Sequence, residues 1–568
     1  MSIAPEMLDP RRYASLGELL DDALLTFKSE TALVEVDRKK ETSRLTYLET
    51  RREVARVARW LADQGVGPDD RVAMLLGNQS RWLICATAAF RLGAVLVPLD
   101  YKLSADEQAR LLAHCRPKVL VSEKGLLRRF EKLAERPEVP IVLDVEDGWG
   151  VLPEGDVEAP PLAARTRDDV ATIVYSSGTG GVAKGCMLTH DAYLEQLRGL
   201  MARFPMHPGH RVFSILPTNH AIDFMVGFVG PFSAGALVIH QRTLRPEFLQ
   251  PTMQAYGVTH MALVPMILAG FESSIKDSLL ERPRWARRLV SVLGGLNEML
   301  TTKSPNPAVS RALLSPIHEA FGGELEVLFC GGAFVDRARA ETFYRLGLPV
   351  VIGYGLTEAC TVATVSDLSP FRADSVGRPV EGVEVRIHAP GADGVGEVWI
   401  RGRTLMRGYL DEPELTAETI DEDGWLHTGD LGWMDASHHL HLVGRSKNMI
   451  VTDGGKNVYP EDVEGAFEEV EVEELVVYAS GFLWPRALTE EQLVAVVRPR
   501  RGNGTRAPSK EAVVAQLKAR NRRLPEHKRV GAVLFWDESF PRTASMKVKR
   551  ADLADALRRA SEEGLVAL

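Results

Sequence analysis

A glycine-rich segment after an apolar run is the first place where this sequence could do chemistry. Val174–Thr189 reads VYSSGTGGVAKGCMLT, so hydroxyl side chains and glycines precede Lys184. Small residues let backbone N–H groups approach phosphate oxygens, and the lysine adds positive charge. The segment is not a GxxxxGK[ST] P-loop, because Ala183 and Gly185 stand where that motif needs glycine and a hydroxyl residue. We predict phosphate binding here, with a flexible surface turn as the alternative.

Five further segments, taken together, indicate which phosphate compound is bound. They are CGGAF at Cys330–Phe334, IGYGLTEA at Ile352–Ala359, GWLHTGDLG at Gly424–Gly432, VGRSKNMIVTDGGKNVYPEDVE at Val443–Glu464 and FPRTASMKVKR at Phe540–Arg550. With the first segment, they resemble in order and spacing the motifs of the adenylate-forming superfamily, which includes acyl-CoA synthetases, peptide-synthetase adenylation domains and beetle luciferases. The resemblance extends over about residues 15–560.

The resemblance implies roles in binding ATP and Mg²⁺. Tyr354 would stack on adenine and Thr357 would contact the α-phosphate. Glu358 would help to hold Mg²⁺, a hard cation that prefers carboxylate oxygen. Asp430 would accept hydrogen bonds from both ribose hydroxyls. The residues implied around ATP or AMP are Ser176, Ser177, Gly178, Thr179, Lys184, Gly331, Gly332, Ala333, Tyr354, Asp430 and Arg445.

The same resemblance implies a moving C-terminal domain. Lys447 falls at the family's pivot, and Gly454 and Gly455 fall where the moving domain faces the CoA side. Lys547 would be the catalytic lysine that bridges the carboxylate and the α-phosphate. Lys549 is a nearby competitor, but its spacing from the Pro-Arg-Thr element fits less well.

An apolar segment predicts what kind of acid is activated. Ile215–Ile239 resembles the Leu-Pro-x-x-His element of fatty-acyl ligases, and it places His220 near the carboxylate in a catalytic role. The apolar residues that follow suit an alkyl chain. The expected wall of the acyl pocket consists of Phe224, Met225, Gly227 and Phe228.

Asp223 keeps a different substrate class open. A carboxylate near the pocket could pair with the amine of an amino acid, as in peptide-synthetase adenylation domains. The surrounding apolar residues favour a fatty acid.

The elements that must position these residues follow an α/β pattern. Residues 45–64 and 82–92 have helical periodicity, whereas residues 71–76, 93–99 and 170–175 are apolar runs typical of buried strands. Helices alternating with strands favour an α/β fold. From about Arg445 the sequence pattern changes to short strands and helices. We therefore predict a large N-terminal domain over residues 1–444 and a small mobile α+β domain over residues 445–568.

Length and composition exclude several classes of protein. A chain of 568 residues with a net charge of −9 needs at least two domains and is poorly suited to general nucleic-acid binding. The N-terminus has no apolar signal region, and the longest apolar run is too short to span a bilayer. We therefore expect a cytoplasmic enzyme. Five scattered cysteines fit a reducing compartment without structural disulfides: Cys85, Cys115, Cys186, Cys330 and Cys360.

Two surface features have alternative interpretations. Residues 273–320 read as helical and contain RPRWARRL at Arg282–Leu289. We interpret this stretch as a solvated surface helix, with peripheral membrane contact as the alternative. HHLH at His438–His441 is interpreted as surface histidines on a β-hairpin rather than a metal site, since no cysteine or carboxylate cluster accompanies it.

The sequence thus predicts an enzyme that uses ATP, Mg²⁺ and CoA to convert a carboxylic acid, by way of an acyl-adenylate, into a thioester. The rivals are a fatty-acyl-AMP ligase that loads a carrier protein, an enzyme for amino or aromatic acids, a luciferase-like oxygenase, and a non-catalytic homologue. Departures from the family motifs at Gly180, Ala183 and Met546 give the last rival some support. Oligomeric state is left open.

Overall fold

A computed structural model describes most of the chain. The described residues are 7–177, 183–451, 457–467, 470–484, 492–500, 508–542, 548–559 and 564–568, with only the backbone at residues 177, 451 and 457. Five residues with predicted roles lie outside these ranges: Gly178, Thr179, Gly454, Gly455 and Lys547.

The strands, in chain order, are β1 Thr31–Asp37, β2 Lys40–Thr46, β3 Arg71–Leu75, β4 Val95–Pro98, β5 Val119–Ser122, β6 Ile141–Asp144, β7 Val170–Ser177, β8 Ala183–Thr189, β9 Arg211–Ser214, β10 Leu237–Gln241, β11 His260–Leu263, β12 Val327–Gly331, β13 Val350–Tyr354, β14 Thr364–Val365, β15 Arg378–Pro379, β16 Val383–His388, β17 Gly396–Gly402, β18 Gly408–Tyr409, β19 Leu426–Met434, β20 Leu440–Arg445, β21 Ile450–Val451, β22 Asn457–Val458, β23 Val472–Ala479, β24 Leu493–Pro499, β25 Val530–Phe535 and β26 Leu565–Ala567.

The helices are α1 Leu16–Thr26, α2 Tyr47–Asp63, α3 Ser80–Arg91, α4 Ala105–Cys115, α5 Lys124–Phe130, α6 His190–Arg203, α7 Ala221–Asp223, α8 Gly230–Ser233, α9 Pro246–Tyr256, α10 Pro265–Leu280, α11 Arg284–Thr301, α12 Pro307–Ala320, α13 Arg337–Arg345, α14 Pro413–Thr419, α15 Pro460–Gly465, α16 Ser480–Leu483, α17 Lys510–Asn521 and α18 Arg550–Arg559.

The fold is mixed α/β, with a large N-terminal and a smaller C-terminal domain, as the sequence predicted. By internal contacts, one compact unit comprises Met1–Val385 and Ile400–His427, and the other comprises Arg386–Trp399 and Thr428–Leu568. The functional boundary expected between residues 444 and 445 stays a prediction, because it concerns which part moves rather than which part is compact.

The first unit contains two large sheets. One has the order β15-β14-β13-β12-β11-β9-β10-β1-β2, and its strands from β13 to β1 run parallel. The other has the order β18-β8-β7-β4-β3-β5-β6, with β7 and β8 antiparallel. Most of these strands are buried, which fits their apolar runs.

The second unit includes the antiparallel pair β19 and β20 and a sheet of order β23-β24-β25-β26. The β19–β20 hairpin contains His438–His441, as predicted, but His439 is buried rather than on the surface, because it packs beside Asp435. Arg550 of α18 donates two 2.7 Å hydrogen bonds to Glu464 of α15, which fixes α18 against the rest of this unit.

Local signals explain the predicted helices. Helix α2 begins at a capping box, in which the Thr46 side chain and the Glu49 side chain each bond to the other's backbone. The helices and strands predicted over residues 45–99 are confirmed to within a few residues. No helix in the described residues is long and apolar enough to cross a membrane.

Candidate active site

The β7–β8 hairpin positions the first group of polar side chains. Ser176 near the end of β7 lies opposite Lys184 near the start of β8 in the antiparallel register. Strand β18 adds to this hairpin, with Tyr409 opposite Cys186 and the Leu410 N–H donating to the Gly185 carbonyl at 2.8 Å. The hairpin thus brings a hydroxyl, a cation and a phenol to one edge of the sheet.

Glu358 is the centre of this group. The Ser176 hydroxyl donates to Glu358 Oε1 at 3.3 Å, and the Tyr409 hydroxyl donates to the same oxygen at 3.0 Å. Lys184 Nζ lies 5.1 Å from the centre of the Tyr409 ring, within cation–π range. Because both hydroxyls use Oε1, the other carboxylate oxygen is available to a cation among the described residues.

Tyr409 was missed by sequence reasoning. Burial, together with the neighbouring Glu358 carboxylate, raises the pKa of Tyr409, so its hydroxyl stays protonated and acts as a donor. A lone Gly-Tyr pair is a weak signal in a sequence. Only the pairing of β18 with β8 shows that this tyrosine belongs to the site.

The turn that carries Glu358 is tightly folded. A Cβ at Gly355 would lie 2.0 Å from the Thr361 carbonyl oxygen, so only glycine fits there. Cys360 and Thr361 have φ of 52° and 95°, which is unusual for residues with a side chain and costly for a β-branched one. Such strain is concentrated at functional turns, and here it bends the chain back so that the Ala363 N–H reaches the Tyr354 carbonyl at 2.8 Å.

Strands β12 and β13 end side by side at this turn. They run parallel with Gly331 opposite Gly353, and a Cβ at Gly331 would lie 2.9 Å from the Gly353 carbonyl oxygen. Gly332, at φ +82°, and Ala333 are exposed in the next turn, while Tyr354 is buried and Thr357 is half-buried. The CGGAF and IGYGLTEA segments therefore meet at the carboxyl edge of the sheet, where ligands bind in open α/β folds.

His220 has a carboxylate neighbour that the sequence did not indicate. Its Nε2 lies 3.4 Å from Asp100 Oδ2, and Asp100 is buried just beyond β4. Burial alone would raise the pKa of Asp100, but the His220 ring and the Lys102 N–H outweigh it and hold that pKa below its usual value. Asp100 is thus ionised and can orient the ring.

An apolar cavity of about 60 Å³ adjoins the same strand ends. Its walls come from α6, from residues 222–230, and from β12 and β13. Ile222, Met225 and Val226 form one wall, and Phe329 and Val351 belong to the opposite strands. Cys330 and Gly353, which also line it, lie one residue before the ends of β12 and β13, in the CGGAF and IGYGLTEA segments.

Three of the four residues expected in the wall of the acyl pocket do not line this cavity. Phe224 and Phe228 are fully buried, and both rings pack 6.1 Å from the Trp82 ring in the main core rather than lining the cavity. A Cβ at Gly227 would lie 2.6 Å from Asp223 Oδ1, so this glycine packs on a carboxylate. The reason is helical geometry, because alternate faces of one apolar segment point to the core and to the cavity. Met225, predicted with them, does line the cavity.

Asp223 is a buried carboxyl group inside the protein. Its Oδ2 accepts hydrogen bonds from the Ser214 hydroxyl at 2.8 Å and the Thr218 hydroxyl at 2.9 Å. Burial raises its pKa to about 7, against the opposing effect of these two hydrogen bonds. The Oδ1 atom has no hydrogen-bond partner among the described residues. The group thus pins the loop before His220 to β9.

This carboxyl group gives the protein a pH-dependent stability. Asp223 binds its proton more tightly in the folded chain than in the unfolded chain. Its contribution to the free energy of unfolding is therefore fully present below about pH 4 and is lost as the pH rises to about 7. The loss amounts to at most roughly 4 kcal/mol. Asp223→Asn, which keeps an acceptor for both hydroxyls, should remove this part of the pH dependence in urea unfolding. Asp156→Asn, at an 81% exposed side chain, is the control and should leave it in place. Equal pH profiles for wild type and Asp223→Asn would contradict the assignment.

The second unit holds the remaining described site residues. Asp430 and Arg445 face each other across β19 and β20, and Arg445 Nε lies 2.8 Å from Asp430 Oδ1. The Thr428 hydroxyl accepts the Asp430 N–H at 3.0 Å. Lys447 lies in the short 3₁₀ turn Ser446–Asn448 that follows. The pair is therefore positioned by one hairpin.

One cluster of metal-ligand residues lies away from these motifs. His210, His260 and Glu326 each offer a ligand atom within 4.8 Å of the others. His210 Nδ1 accepts the His207 N–H at 3.3 Å, so the neutral ring carries its proton on Nε2, which lies 3.6 Å from Glu326. Burial lowers the pKa of His210 to about 4, so the ring is neutral. The proton on Nε2 faces the Glu326 carboxylate, so this is an ordinary histidine–carboxylate contact, and we assign no metal here.

Comparison with known proteins agrees with the motifs. A family model described as AMP-binding enzyme matches residues 20–410, more than half of the chain. A feruloyl-CoA synthase from an Amycolatopsis species is 30% identical over 427 residues, which cover 74% of this chain and 77% of that protein. A long-chain-fatty-acid–CoA ligase from Drosophila melanogaster is 29% identical over 460 residues, covering 74% and 67%.

The fold is also that of a solved ligase. The o-succinylbenzoate coenzyme A synthetase from Bacillus subtilis, in complex with ATP and magnesium ion, has a TM-score of 0.72 at 22% identity, covering 94% of this chain and 98% of that one. The resemblance seen in the sequence motifs is thus confirmed. The chain belongs to the AMP-binding enzyme family, in the adenylate-forming superfamily that includes the acyl-CoA ligases.

Proposed function

We propose that the protein activates an apolar carboxylic acid with Mg·ATP to an acyl-adenylate and transfers the acyl group to CoA. The observation that carries this proposal is an apolar cavity whose wall residues Cys330 and Gly353 run directly into the family's nucleotide motifs. An alkyl chain or ring in the cavity would leave its carboxylate at the strand ends, where ATP binds in the family.

The cavity supports an apolar acid over an amino acid. Asp223, the candidate partner for a substrate amine, is 1% exposed and is occupied by Ser214 and Thr218. Its pKa of about 7 leaves a large share of it uncharged near neutral pH. Relatives named for feruloyl and for long-chain fatty acyl groups support aromatic and alkyl acids alike.

The first half-reaction needs charge neutralisation and positioning, not a covalent nucleophile. We propose that Lys184 and Ser176 contact the ATP phosphates and that Glu358 holds Mg²⁺ through its available oxygen. His220, oriented by Asp100, would order the acid carboxylate. Fixed charges of this kind lower a barrier because they are placed before charge develops in the transition state.

Asp430 tests the ribose contact. Asp430→Ala removes charge-assisted hydrogen bonds worth roughly 1.5–3 kcal/mol and leaves Arg445 without its partner, so the KM for ATP should rise about 10- to 100-fold. Asp435→Ala in the turn of the same hairpin is the control, since Asp435 bonds to the turn's own N–H groups. An unchanged ATP dependence in folded Asp430→Ala would remove this residue from the site.

Val226 tests the acyl cavity. Val226→Phe should fill space beside Ile222 and Met225 and shift the preference towards shorter or smaller acids. Val142→Phe, at an exposed position on β6, is the matched control. Initial rates over a series of straight-chain acids measure the shift. The same acid preference in Val226→Phe and wild type would place the acyl group elsewhere.

The acceptor is tested by following products. Apolar, aromatic and amino acids are incubated with ATP and Mg²⁺, with CoA or with a phosphopantetheinylated carrier protein, and each thioester is quantified. We expect acyl-CoA from an apolar acid. Thioester on the carrier protein alone would identify an acyl-AMP ligase, and light emission with an added luciferin would identify the oxygenase rival.

A further inference from the structure

Helix α11 has apolar residues on its outer side as well as on its inner side. Its buried residues include Gly294, Asn297 and Thr301, which are small or polar. Asn297 donates to the Arg345 carbonyl at 3.2 Å and accepts from the Ser310 hydroxyl at 2.7 Å. Val290 and Leu293 on the inner side are partly buried against the core. A surface helix normally buries its apolar residues and exposes its polar ones, so apolar residues on the outer side of α11 as well are unusual.

The exposed side is a continuous apolar stripe. Its residues follow one another at intervals of four, three, four and three, and therefore lie on one side of the helix over about 21 Å. They are 69%, 49%, 67%, 37% and 69% exposed, in this order: Trp285, Leu289, Val292, Leu296 and Met299. Single exposed apolar residues are ordinary, but contiguous stripes mark surfaces that bind something apolar.

Basic residues surround the beginning of the stripe. Arg282, Arg284, Arg287 and Arg288 precede or share its first turn, in a chain whose net charge is −9. Across the described ranges, none of these four guanidinium groups is within ion-pair distance of an acidic side chain. This concentration of unpaired positive charge is complementary to an anionic surface.

We propose that helix α11 docks the protein onto an anionic lipid bilayer, lying in the plane of the surface. An interfacial helix has basic residues that meet phosphate groups and an apolar side, often with tryptophan, that enters the boundary of the acyl chains. The four arginines meet the first requirement, and the stripe from Trp285 to Met299 meets the second. The helix lies on the surface rather than crossing it, because its opposite side packs on the protein core and is hydrogen-bonded to α12 and α13. The earlier interpretation as an ordinary solvated helix does not account for the outward stripe.

Vesicle flotation of the full chain tests this inference without any substrate. We expect wild type to float with vesicles of phosphatidylglycerol and phosphatidylcholine, and at least tenfold less with phosphatidylcholine alone or at high salt. Val292→Glu should reduce binding at least tenfold. Val151→Glu introduces the same charge at a 60% exposed site elsewhere and should bind as wild type does. Thermal melting and acid-dependent pyrophosphate release should be unchanged in both variants.

Three outcomes would overturn the proposal. The first is that wild type does not float with anionic vesicles, and the second is that Val292→Glu floats as well as wild type. The third is that wild type forms a dimer in analytical ultracentrifugation, that Val292→Glu dissociates this dimer, and that neither protein binds vesicles. The last result would identify a second copy of the chain as the occupant of the stripe. Because the readout is vesicle binding, failure here is distinguishable from failure of the proposed ligase activity.

Discussion

Lys547→Ala should reduce acyl-adenylate formation from acid and ATP by at least roughly 10²–10³-fold, while the conversion of supplied acyl-AMP and CoA to acyl-CoA continues. The lysine charge is needed while the acid carboxylate meets the α-phosphate, where negative charges approach each other. Thioester formation has no such encounter. The prediction rests on the Pro-Arg-Thr-x-x-x-Lys resemblance, since Lys547 lies outside the described residues. Adenylation is measured by pyrophosphate release, and the second step by thioester formation.

Lys549→Ala is the matched control for this substitution. Lys549 is part of a pair with Asp552 at 3.8 Å and is 37% exposed, so its removal should change either step less than twofold. Loss of adenylation in Lys549→Ala but not in Lys547→Ala would mean that the motif register is wrong by two residues. Loss of both steps in folded Lys547→Ala would contradict the use of two conformations.

Lys447→Pro should have the opposite effect. Lys447 lies in the 3₁₀ turn at the family's pivot, and proline fixes φ near about −65° and stiffens the chain. Adenylation should survive, and thioester formation should be lost because the second conformation is not reached. Normal thioester formation in this variant would place the pivot elsewhere.

Glu358→Gln should lower kcat for adenylation by roughly 10²-fold and raise the Mg²⁺ concentration needed for half-maximal activity. Glutamine keeps an acceptor for the Ser176 and Tyr409 hydroxyls, so the geometry is retained while the charge is lost. Titration of Mg²⁺ at saturating ATP measures the effect. Tyr409→Phe removes one hydrogen bond and keeps the ring near Lys184, so about a tenfold effect is expected. Unaltered Mg²⁺ dependence in Glu358→Gln would remove this carboxylate from the metal site.

Residues with a local signal could be predicted from the sequence. Helix α2 has a capping box at Thr46 and Glu49, and β7 is an apolar run that a glycine-rich segment follows in the sequence. The motif residues Ser176 and Glu358 were both identified, although 182 positions separate them along the chain. Their hydrogen bond forms because strands that are distant in the sequence pair in the fold. No local sequence pattern predicts that pairing.

The residues expected in the wall of the acyl pocket show what could not be predicted from the sequence. Residues 224–229 form a π-helical turn, and an apolar run does not state which of its faces meets the core. Phe224 and Phe228 pack on Trp82, which is far away in sequence, so the cavity is left to their neighbours. Tyr409 and Asp100 were missed for the same reason, because each acts through a partner brought close by the fold.

The most direct test of the account is exchange of labelled pyrophosphate into ATP, measured with and without added acid and in the absence of CoA. Exchange requires a reversible acyl-adenylate, which is the chemistry proposed for Lys184, Glu358 and the adjoining cavity. We predict exchange that depends on an apolar acid, needs Mg²⁺, and falls at least tenfold in Glu358→Gln. Absence of acid-dependent exchange across alkyl, aromatic and amino acids, or cleavage of ATP to ADP instead of AMP, would contradict the central claim that this protein activates carboxylic acids by adenylation.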